Sequence, residues 1–323
     1  RCDMSCETPL ESPKNRTTPV CIAMGFFDGV HLGHGRVLQS AIMQATRLGG
    51  TAWMVSFDPH PNVVLRPDAA PSMLMTIAQK CDHARLAGID GCLTLPFSKD
   101  VAQQTPEGFV AQLREQMPTL QHIAVGAQWR FGHRRSGTLQ TLTDLGRQHG
   151  FSVEGVEAAL HGDTPISSTR IRAAVVEGQL DEAESMLGRP FSVRGRVVEG
   201  QRLGRTLGYP TANLDLADGI RPPQGIYAAR ATVAGKLHDG VVSYGRRPTV
   251  ADANADHVME VHLFGYEGDL YGLEVELYFE KFIRSEQKFD GLEGLRTRIA
   301  ADCEEAQGML LERKVKDKLY IRL

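Results

Sequence analysis

The stretch GFFDGVHLGH, from Gly25 to His34, lies between an apolar run and a segment with helical periodicity. The run before it, VCIAM, has the character of a buried strand, and apolar residues recur at helical spacing from Val37 until Gly49. The decapeptide is therefore predicted to be a strand-to-helix turn. Glycines at such a turn let backbone amides approach an anion, and the N-terminus of the helix favours negative charge.

Two histidines, His31 and His34, begin the predicted helix and share one of its faces. Both can donate hydrogen bonds to phosphate oxygens, and an imidazole there can stabilise the charge of a phosphoryl-transfer transition state. The alternative is a turn with two exposed histidines and an aspartate, Asp28, that caps the helix. For this motif taken alone, the alternative is the favoured hypothesis.

A second segment, ISSTRIR, also comes directly before a predicted helix. It offers the hydroxyls of Ser167, Ser168 and Thr169, with the guanidinium of Arg172 one turn later. Hydroxyls at a helix start and a fork-shaped guanidinium form a phosphate cradle, although an ordinary Ser/Thr cap with a solvated arginine is the alternative. Two anion sites at separate strand ends would suit a triphosphate.

The order of predicted elements indicates two fold types. Strands such as TAWMVSF, GCLTLPF and HIAVGA alternate with helices, which predicts a Rossmann-like parallel sheet with ligands beyond the carboxyl ends of its strands. GFFDGVHLGH, FDPHP and VGAQWRFG all follow strands at that edge. Beyond Gly188, short alternating runs punctuated by glycine predict an antiparallel barrel or sandwich, followed by a closing helix. In the run LEVELYF, the alternation predicts Leu273 in the core and Glu276 in solvent.

Composition excludes several classes of protein. The 323 residues are 42% hydrophobic and carry a net charge of -3, so we expect two globular domains and no nucleic acid partner. No apolar run approaches the roughly 20 residues that span a bilayer, so no membrane association is expected. The six cysteines form no CxxC pair, which favours a reducing cytoplasmic compartment, with a Cys2 to Cys6 disulfide as the possible exception. We predict a disordered leader over 1–19 and domains over 20–187 and 188–323.

The ordered set of motifs resembles a known family. GFFDGVHLGH, FDPHP, VGAQWRFG and ISSTRIR resemble the adenylyltransferase module of bacterial bifunctional FAD synthetases. GRVVEGQRLGRTLGYPTANL, RRPTV, MEVHLF, DLYG and RSEQKFDGLEGL resemble the riboflavin kinase module of the same family. The resemblance implies an α/β nucleotidyltransferase domain followed by a small antiparallel β-barrel riboflavin kinase domain with a C-terminal helix. It also implies phosphorylation of riboflavin to FMN by ATP, and adenylyl transfer from ATP to FMN to give FAD and pyrophosphate.

The resemblance also implies site residues in the first domain. ATP would be bound by Gly25, Phe27, Asp28, Gly29, His31, His34, Gly126, Ser168, Thr169 and Arg172, with the two histidines catalytic. FMN would be bound by Phe57, His60, Pro61 and Gln128, with the ring of Phe57 against the isoalloxazine.

In the second domain, PTAN puts Thr211 and Asn213 on one face of an extended segment. Both carry hard oxygen ligands that suit Mg²⁺ bound with ATP phosphates, although a turn that satisfies its own backbone is the alternative. The resemblance favours ATP and metal binding, and the implied ATP-binding residues are Gly200, Gly204, Arg205, Gly208, Thr211 and Asn213.

Glu260 shares a strand face with His262, and the resemblance makes it the base that takes the proton of the riboflavin 5′-hydroxyl. By the same resemblance, Arg284, Glu286 and Phe289 lie near the flavin.

Several positions depart from the family pattern. Phe26 replaces a small polar residue, and Gln128 and Trp129 replace an acidic residue or asparagine followed by phenylalanine. Ser243 and Tyr244 replace asparagine and an aliphatic residue. Three functions therefore remain: the bifunctional enzyme, a riboflavin kinase whose adenylyltransferase domain is weakened, and a flavin-binding protein without turnover. The oligomeric state stays open.

Overall fold

The computed structural model describes residues 17–200, 203–246 and 257–316, which form two compact units divided between Ser167 and Ser168. The predicted leader lies outside these residues up to position 16, as do the Cys2 to Cys6 pair and most of RRPTV. The predicted domain boundary at residue 187 stays a prediction. Within the described ranges, no helix combines the length and the apolar character that crossing a membrane requires.

The first unit is built on a five-stranded parallel sheet in the order β3-β2-β1-β4-β5. Its strands are β1 (Val20–Met24), β2 (Thr51–Asp58), β3 (Gly91–Pro96), β4 (Leu120–Gly126) and β5 (Ser152–Val156), followed by a short hairpin of β6 (Leu160–His161) and β7 (Thr164–Pro165). Its helices are α1 (Leu32–Leu48), α2 (Pro61–Leu65), α3 (Ile77–Leu86), α4 (Lys99–Ala102), α5 (Pro106–Gln116) and α6 (Leu139–His149).

This arrangement confirms the predicted Rossmann-like fold and locates its binding edge. The central strand β1 is buried along its whole length, and the chain order reverses between β1 and β4. Ligands of open α/β sheets bind at such a reversal, beyond the carboxyl ends of the strands. Strand β5 was not predicted, because it is short and only partly buried at the edge of the sheet.

The second unit contains a closed antiparallel barrel of six strands, in the order β10-β11-β12-β9-β8-β13. Its elements are α7 (Ser168–Val176), α8 (Leu180–Leu187), β8 (Ser192–Val198), α9 (Leu203–Thr206), β9 (Ala212–Leu216), β10 (Gly225–Val233), β11 (Lys236–Arg246), β12 (His257–Leu263), β13 (Glu274–Arg284) and α10 (Leu292–Lys316). The alternating pattern in the sequence was compatible with either a barrel or a sandwich. Pairing of β10 with β13 closes the sheet, so the fold is a barrel.

The predicted alternation in LEVELYF is wrong at two positions. Leu273 is 39% exposed and precedes β13, whereas Glu276 is only 8% exposed. The carboxylate of Glu276 accepts hydrogen bonds from Ser192 Oγ at 2.7 Å and from Arg194 Nη2 at 2.8 Å. A buried carboxylate with both partners in place is tolerated, so the charge does not force this side chain into solvent.

We predict that Gly91→Ala destabilises the first unit by about 1–3 kcal/mol, because the added Cβ would lie 2.7 Å from the ring of the buried Trp53. As a matched control, Gly108→Ala in α5 meets no atom closer than 3.5 Å and should leave stability equal or slightly higher. Both tryptophans of the chain lie in this unit, so urea unfolding followed by tryptophan fluorescence measures the effect. Equal midpoints for the two variants would contradict the prediction.

Candidate active sites

The turn between β1 and α1 is tight and leads directly into the N-terminus of the helix. Phe27, Gly29 and Val30 adopt positive φ angles of 50°, 86° and 37°, which reverses the chain sharply before the helix. The amide of Gly25 donates to the carbonyl of Val55 at 3.1 Å and so ties the start of the turn to β2. The predicted strand, turn and helix are confirmed.

Asp28 anchors this turn from within. Its side chain is 2% exposed, and its carboxylate accepts hydrogen bonds from the backbone amides of Leu74, at 3.0 Å, and Met75, at 3.2 Å. The carboxylate therefore joins the turn to the segment that leads into α3. The alternative in which Asp28 caps α1 is wrong, because the N-cap residue is His31.

His31 is held in one orientation at the N-terminus of α1. It is 6% exposed, and its Nδ1 accepts the backbone N–H of His34 at 3.2 Å. Since Nδ1 is the acceptor, a neutral His31 carries its proton on Nε2. The rings of His31 and His34 stack with centroids 3.6 Å apart, and Phe27 contacts the second ring edge-on. The histidines thus form a packed pair, and the alternative of two exposed histidines is wrong for His31.

An aromatic cluster lies at the carboxyl ends of β1, β2 and β4. The ring centroid of Phe26 lies 5.5 Å from that of Phe57, 5.1 Å from that of His60 and 5.7 Å from that of Trp129. Phe57 is 6% exposed and also packs against Phe109, so it belongs to the core. The more accessible rings are those of Phe26, His60 and Trp129. Of these three residues, only His60 is among the predicted FMN-binding residues.

The remaining FMN candidates border the same cluster. His60 caps α2 through an Nδ1 that accepts the amide of Asn62 at 3.2 Å, and Pro61 is the first residue of that helix. Gln128 is exposed in the turn after Gly126, which is closed by a hydrogen bond from Trp129 N to Gly126 O at 2.8 Å. The first position of α2 suits Pro61, because a proline there has no N–H that needs a hydrogen-bond partner.

The second phosphate motif begins α7. Ser168 is the first residue of the helix, and Arg172 lies four positions later on the same side. Thr169 is exposed, and both Ser168 and Arg172 are half-buried. Since α7 belongs to the second unit and His31 to the first, the joint grip on a triphosphate stays a prediction.

The barrel carries a cavity of about 350 Å³ that brings together most of the predicted kinase residues. The cavity lining includes Thr211, Asn213, Glu260, Arg284, Glu286 and Phe289. These residues come from three parts of the chain: the segment around β9, the strand β12, and the end of β13 with the segment that follows it. The cavity also receives side chains of α10, so the closing helix forms one of its walls.

Strand pairing fixes the surroundings of Glu260. In the register of the barrel, Glu260 lies directly beside Asn213 of β9 on one side and Ser243 of β11 on the other. Thr211 Oγ1 donates to a carboxylate oxygen of Glu260 at 3.4 Å, which is a long hydrogen bond. His262 also lines the cavity, as the alternation predicts, and its Nδ1 lies 2.8 Å from the carbonyl oxygen of Pro210.

The three predicted flavin contacts lie together on one wall of the cavity. Arg284 makes a bidentate ion pair with the buried Asp302 of α10 at 2.8 and 2.6 Å, and its guanidinium lies 5.9 Å from the centre of the Phe289 ring. Glu286 packs against the backbone of Gly245 so closely that any side chain there would collide with it. Sequence reasoning missed Asp302 and Gly245 because both lie far from the RSEQKF motif in the chain.

A neighbouring cavity of about 330 Å³ contains Arg205 and shares Thr211 with the first. Gly200 and Gly204 lie against the side chains of Asn213 and Thr211, respectively, with no room for a Cβ. Gly208 has a φ of +88° and lets the chain turn before Tyr209. Gly200 and Gly204 of the predicted glycine-rich run therefore pack against the PTAN segment, and Gly208 turns the chain just before it.

Comparison with known proteins agrees with this geometry. A sequence model described as FAD synthetase matches residues 13–170, and one described as riboflavin kinase matches residues 187–310. The bifunctional riboflavin kinase/FMN adenylyltransferase of Escherichia coli strain K12 is 36% identical over 87% of this chain and 90% of that protein. The chain belongs to this bifunctional family.

Two further relatives cover even more of the chain. The bifunctional riboflavin kinase/FMN adenylyltransferase of Pseudomonas fluorescens is 37% identical over 90% of this chain and 93% of that protein. A crystal structure described as a macrolide-efflux protein from Streptococcus pneumoniae is 29% identical, with a TM-score of 0.77 over 92% of this chain and 97% of that one.

The structure shows what surrounds the residues that depart from the family pattern. Phe26 and Trp129, which follow neighbouring strands, contact each other, so the two unusual aromatic residues form one feature. Ser243 lines the barrel cavity beside Glu260. Tyr244 points to the opposite face of β11 and is buried, which raises the pKa of its hydroxyl. Of these two barrel departures, only Ser243 lies at the cavity.

We predict that Asp28→Asn lowers the free energy of unfolding of the first unit by about 1–3 kcal/mol. The asparagine oxygen can still accept both backbone amides, but its NH₂ group would stand in place of the second carboxylate oxygen, which lies 3.1 Å from the amide of Leu74. Asp68→Asn is the control, since Asp68 is exposed. Tryptophan fluorescence in a urea titration measures both, and an unchanged midpoint for Asp28→Asn would rule out the anchoring role.

Proposed function

We propose that this protein is a bifunctional enzyme that makes FMN and then FAD at two separate sites. The second unit transfers the γ-phosphate of ATP to riboflavin, and the first unit transfers the adenylyl group of another ATP to FMN. The observation that carries the proposal is the cavity in which Glu260 lies beside Thr211 and Asn213. The packed His31 and His34 pair at the N-terminus of α1 supports the second activity.

In the kinase reaction, Glu260 orients the 5′-hydroxyl of riboflavin and takes its proton as the oxygen attacks the γ-phosphorus. A carboxylate suffices, because phosphoryl transfer passes through a loose transition state in which positioning matters more than strong basicity. The hydrogen bond from Thr211 helps to orient this carboxylate, and strand pairing sets Asn213 beside it. FMN and ADP are the products.

The flavin and ATP would occupy the two neighbouring cavities of the barrel. We assign the flavin to the cavity with Arg284, Glu286 and Phe289, and the ATP phosphates to the cavity with Arg205. Thr211 lines both cavities and therefore stands where the hydroxyl and the γ-phosphate would meet. Gly200 and Gly204 support this segment by their close approach to Asn213 and Thr211.

The same residues fit Mg²⁺. Thr211 and Asn213 offer a hydroxyl and an amide oxygen, which are hard donors of the kind that Mg²⁺ prefers beside ATP phosphates and water. Asn213 is 6% exposed and its amide is enclosed by the backbone of Gly200, so its orientation is restricted. Bound there with ATP, the ion would neutralise charge on the phosphate oxygens.

In the adenylyl transfer, a phosphate oxygen of FMN attacks the α-phosphorus of ATP, and pyrophosphate leaves. The Nε2–H of His31 would donate to an α-phosphate oxygen, with His34 and the N-terminus of α1 adding positive potential. No covalent enzyme intermediate is needed, since positioning and charge stabilisation suffice. Ser168, Thr169 and Arg172 stay predicted phosphate ligands of ATP on the strength of the family resemblance alone.

We assign the FMN ring in the first unit to the aromatic cluster. The core position of Phe57 leaves the rings of Phe26, His60 and Trp129 as the surface against which an isoalloxazine could pack. Offset or tilted contacts between aromatic rings are favourable at these centroid distances. Gln128, exposed on the same turn as Trp129, could donate an amide hydrogen to a flavin carbonyl.

We further expect a cytoplasmic location. Within the part of the chain that the structure describes, all four cysteines are free thiols, which suits a reducing compartment.

The proposal is tested by incubating the pure protein with riboflavin, ATP and Mg²⁺ and separating the flavins by chromatography. We expect FMN and FAD together. FMN alone would identify the protein as a riboflavin kinase without adenylyltransferase activity, and unchanged riboflavin would rule out both the bifunctional enzyme and the riboflavin kinase.

We predict that Glu260→Gln lowers FMN formation from riboflavin on the order of 100-fold or more, because it removes the base. Conversion of added FMN to FAD should be unchanged, since Glu260 is assigned no part in that reaction. Glu304→Gln, an exposed change on α10, is the control and should alter neither rate. Loss of both activities in folded Glu260→Gln protein would contradict the two-site assignment.

We predict that His31→Asn lowers conversion of FMN to FAD roughly 100-fold and leaves FMN formation unchanged. Asparagine is a good N-cap residue, so this variant keeps the helix start and removes the Nε2–H donor. His31→Ala removes the cap as well and should cost about 1 kcal/mol of stability in addition. A fully active His31→Asn protein would show that the imidazole has no role in adenylyl transfer.

A further inference from the structure

Two cysteines outside both candidate sites lie side by side in the first unit. Cys81 is on α3 and Cys92 is on β3, the edge strand of the sheet. Cys92 Sγ lies 3.8 Å from the carbonyl oxygen of Cys81, which puts the two residues next to each other across α3 and β3. Both residues are partly exposed, so a small molecule in solvent can reach them.

The two thiols differ in their surroundings. A side-chain hydrogen bond from Cys92 lowers the pKa of Cys81, and the positive charges of Arg85 and Lys80 lower it further, against the opposing effects of burial and Asp82. As the donor of that bond, and because it is partly buried, Cys92 has a raised pKa. The thiolate is the nucleophilic form of cysteine, so Cys81 is the sulfur that attacks and Cys92 the one that follows.

The other two cysteines of the described residues provide a contrast. Cys21 and Cys303 are buried, and burial raises the pKa of each thiol to about 11. Buried thiols that stay protonated are inert toward oxidants. Selective reactivity is therefore expected at the Cys81 and Cys92 pair.

We propose that Cys81 and Cys92 form a hydroperoxide-reactive dithiol that closes to a disulfide joining α3 to β3. The Cys81 thiolate attacks the O–O bond of a hydroperoxide, an S–O bond forms, and water or an alcohol leaves after taking a proton. Cys92 then attacks the sulfenic sulfur, the S–S bond forms, and a second water leaves. Two thiols are oxidised by two electrons, and the peroxide is reduced. This inference is independent of the flavin chemistry proposed above.

The disulfide would strengthen a part of the fold that supports the β1–α1 turn. It would close the loop over 82–91 and so restrict the unfolded chain. Helix α3 begins directly after its N-cap Thr76, and the preceding amides of Leu74 and Met75 hold Asp28. We expect oxidation to raise the Tm of the first unit by on the order of 5 °C.

The test uses the full chain with Cys2→Ser and Cys6→Ser, which removes the thiols outside the described residues. The protein is treated with hydrogen peroxide, its remaining thiols are alkylated, and it is digested with trypsin. Cleavage after Lys80, Arg85 and Lys99 puts Cys81 and Cys92 on separate peptides, 81–85 and 86–99. We expect these two peptides to be recovered joined and two hydrogens lighter, and to separate after dithiothreitol.

Two single variants test the order of attack. In Cys92→Ser, Cys81 should stop at the sulfenic acid and be labelled by dimedone, whereas in Cys81→Ser, Cys92 should stay reduced. Separate peptides 81–85 and 86–99 after oxidation, or dimedone on Cys92 in Cys81→Ser, would overturn the proposal. A joined pair without a rise in Tm, followed by tryptophan fluorescence, would overturn the stabilising link between α3 and β3.

Discussion

Hydrogen bonding between neighbouring strands is the constraint on which both candidate sites depend. In the first unit, parallel pairing of β2, β1 and β4 brings the ends of three strands to one edge of the sheet. In the second unit, antiparallel pairing sets Asn213, Glu260 and Ser243 side by side across three strands of the barrel. A shift of one residue in either register would turn these side chains to the other face.

Hydrogen bonds between side chains and the backbone then orient the candidate site residues of the first unit. His31 accepts the amide of His34, and this bond assigns the proton of a neutral ring to Nε2. Asp28 accepts the amides of Leu74 and Met75, so the turn is held from beneath by a buried carboxylate. Both bonds are made within the protein and exist before any phosphate arrives, which lowers the cost of reorganisation on binding.

The sequence predicted the elements of the fold better than the surroundings of individual side chains. The strand-to-helix turn at GFFDGVHLGH and the cavity face shared by Glu260 and His262 follow from local periodicity, and both are confirmed. The alternative that Asp28 caps the helix is wrong, and a sequence cannot show that a distant segment supplies two amides to this carboxylate. The sequence offers no physical reason for a phenylalanine at position 26, where the family has a small polar residue. In the structure, the ring of Phe26 contacts that of Trp129, about a hundred positions away.

By itself, the sequence determined the order of strands and helices, the strand-to-helix turn at GFFDGVHLGH, and the family to which the chain belongs. Those features depend on residues close together in the chain, whose spacing follows the periods of helix and strand. Only the tertiary structure decided that Glu276 is buried, that Phe57 lies in the core, and that Cys81 touches Cys92. Each of these features depends on contact with a residue of another element. Such contacts form only when the folded chain brings the two elements together, so the periodicity of one segment cannot predict them.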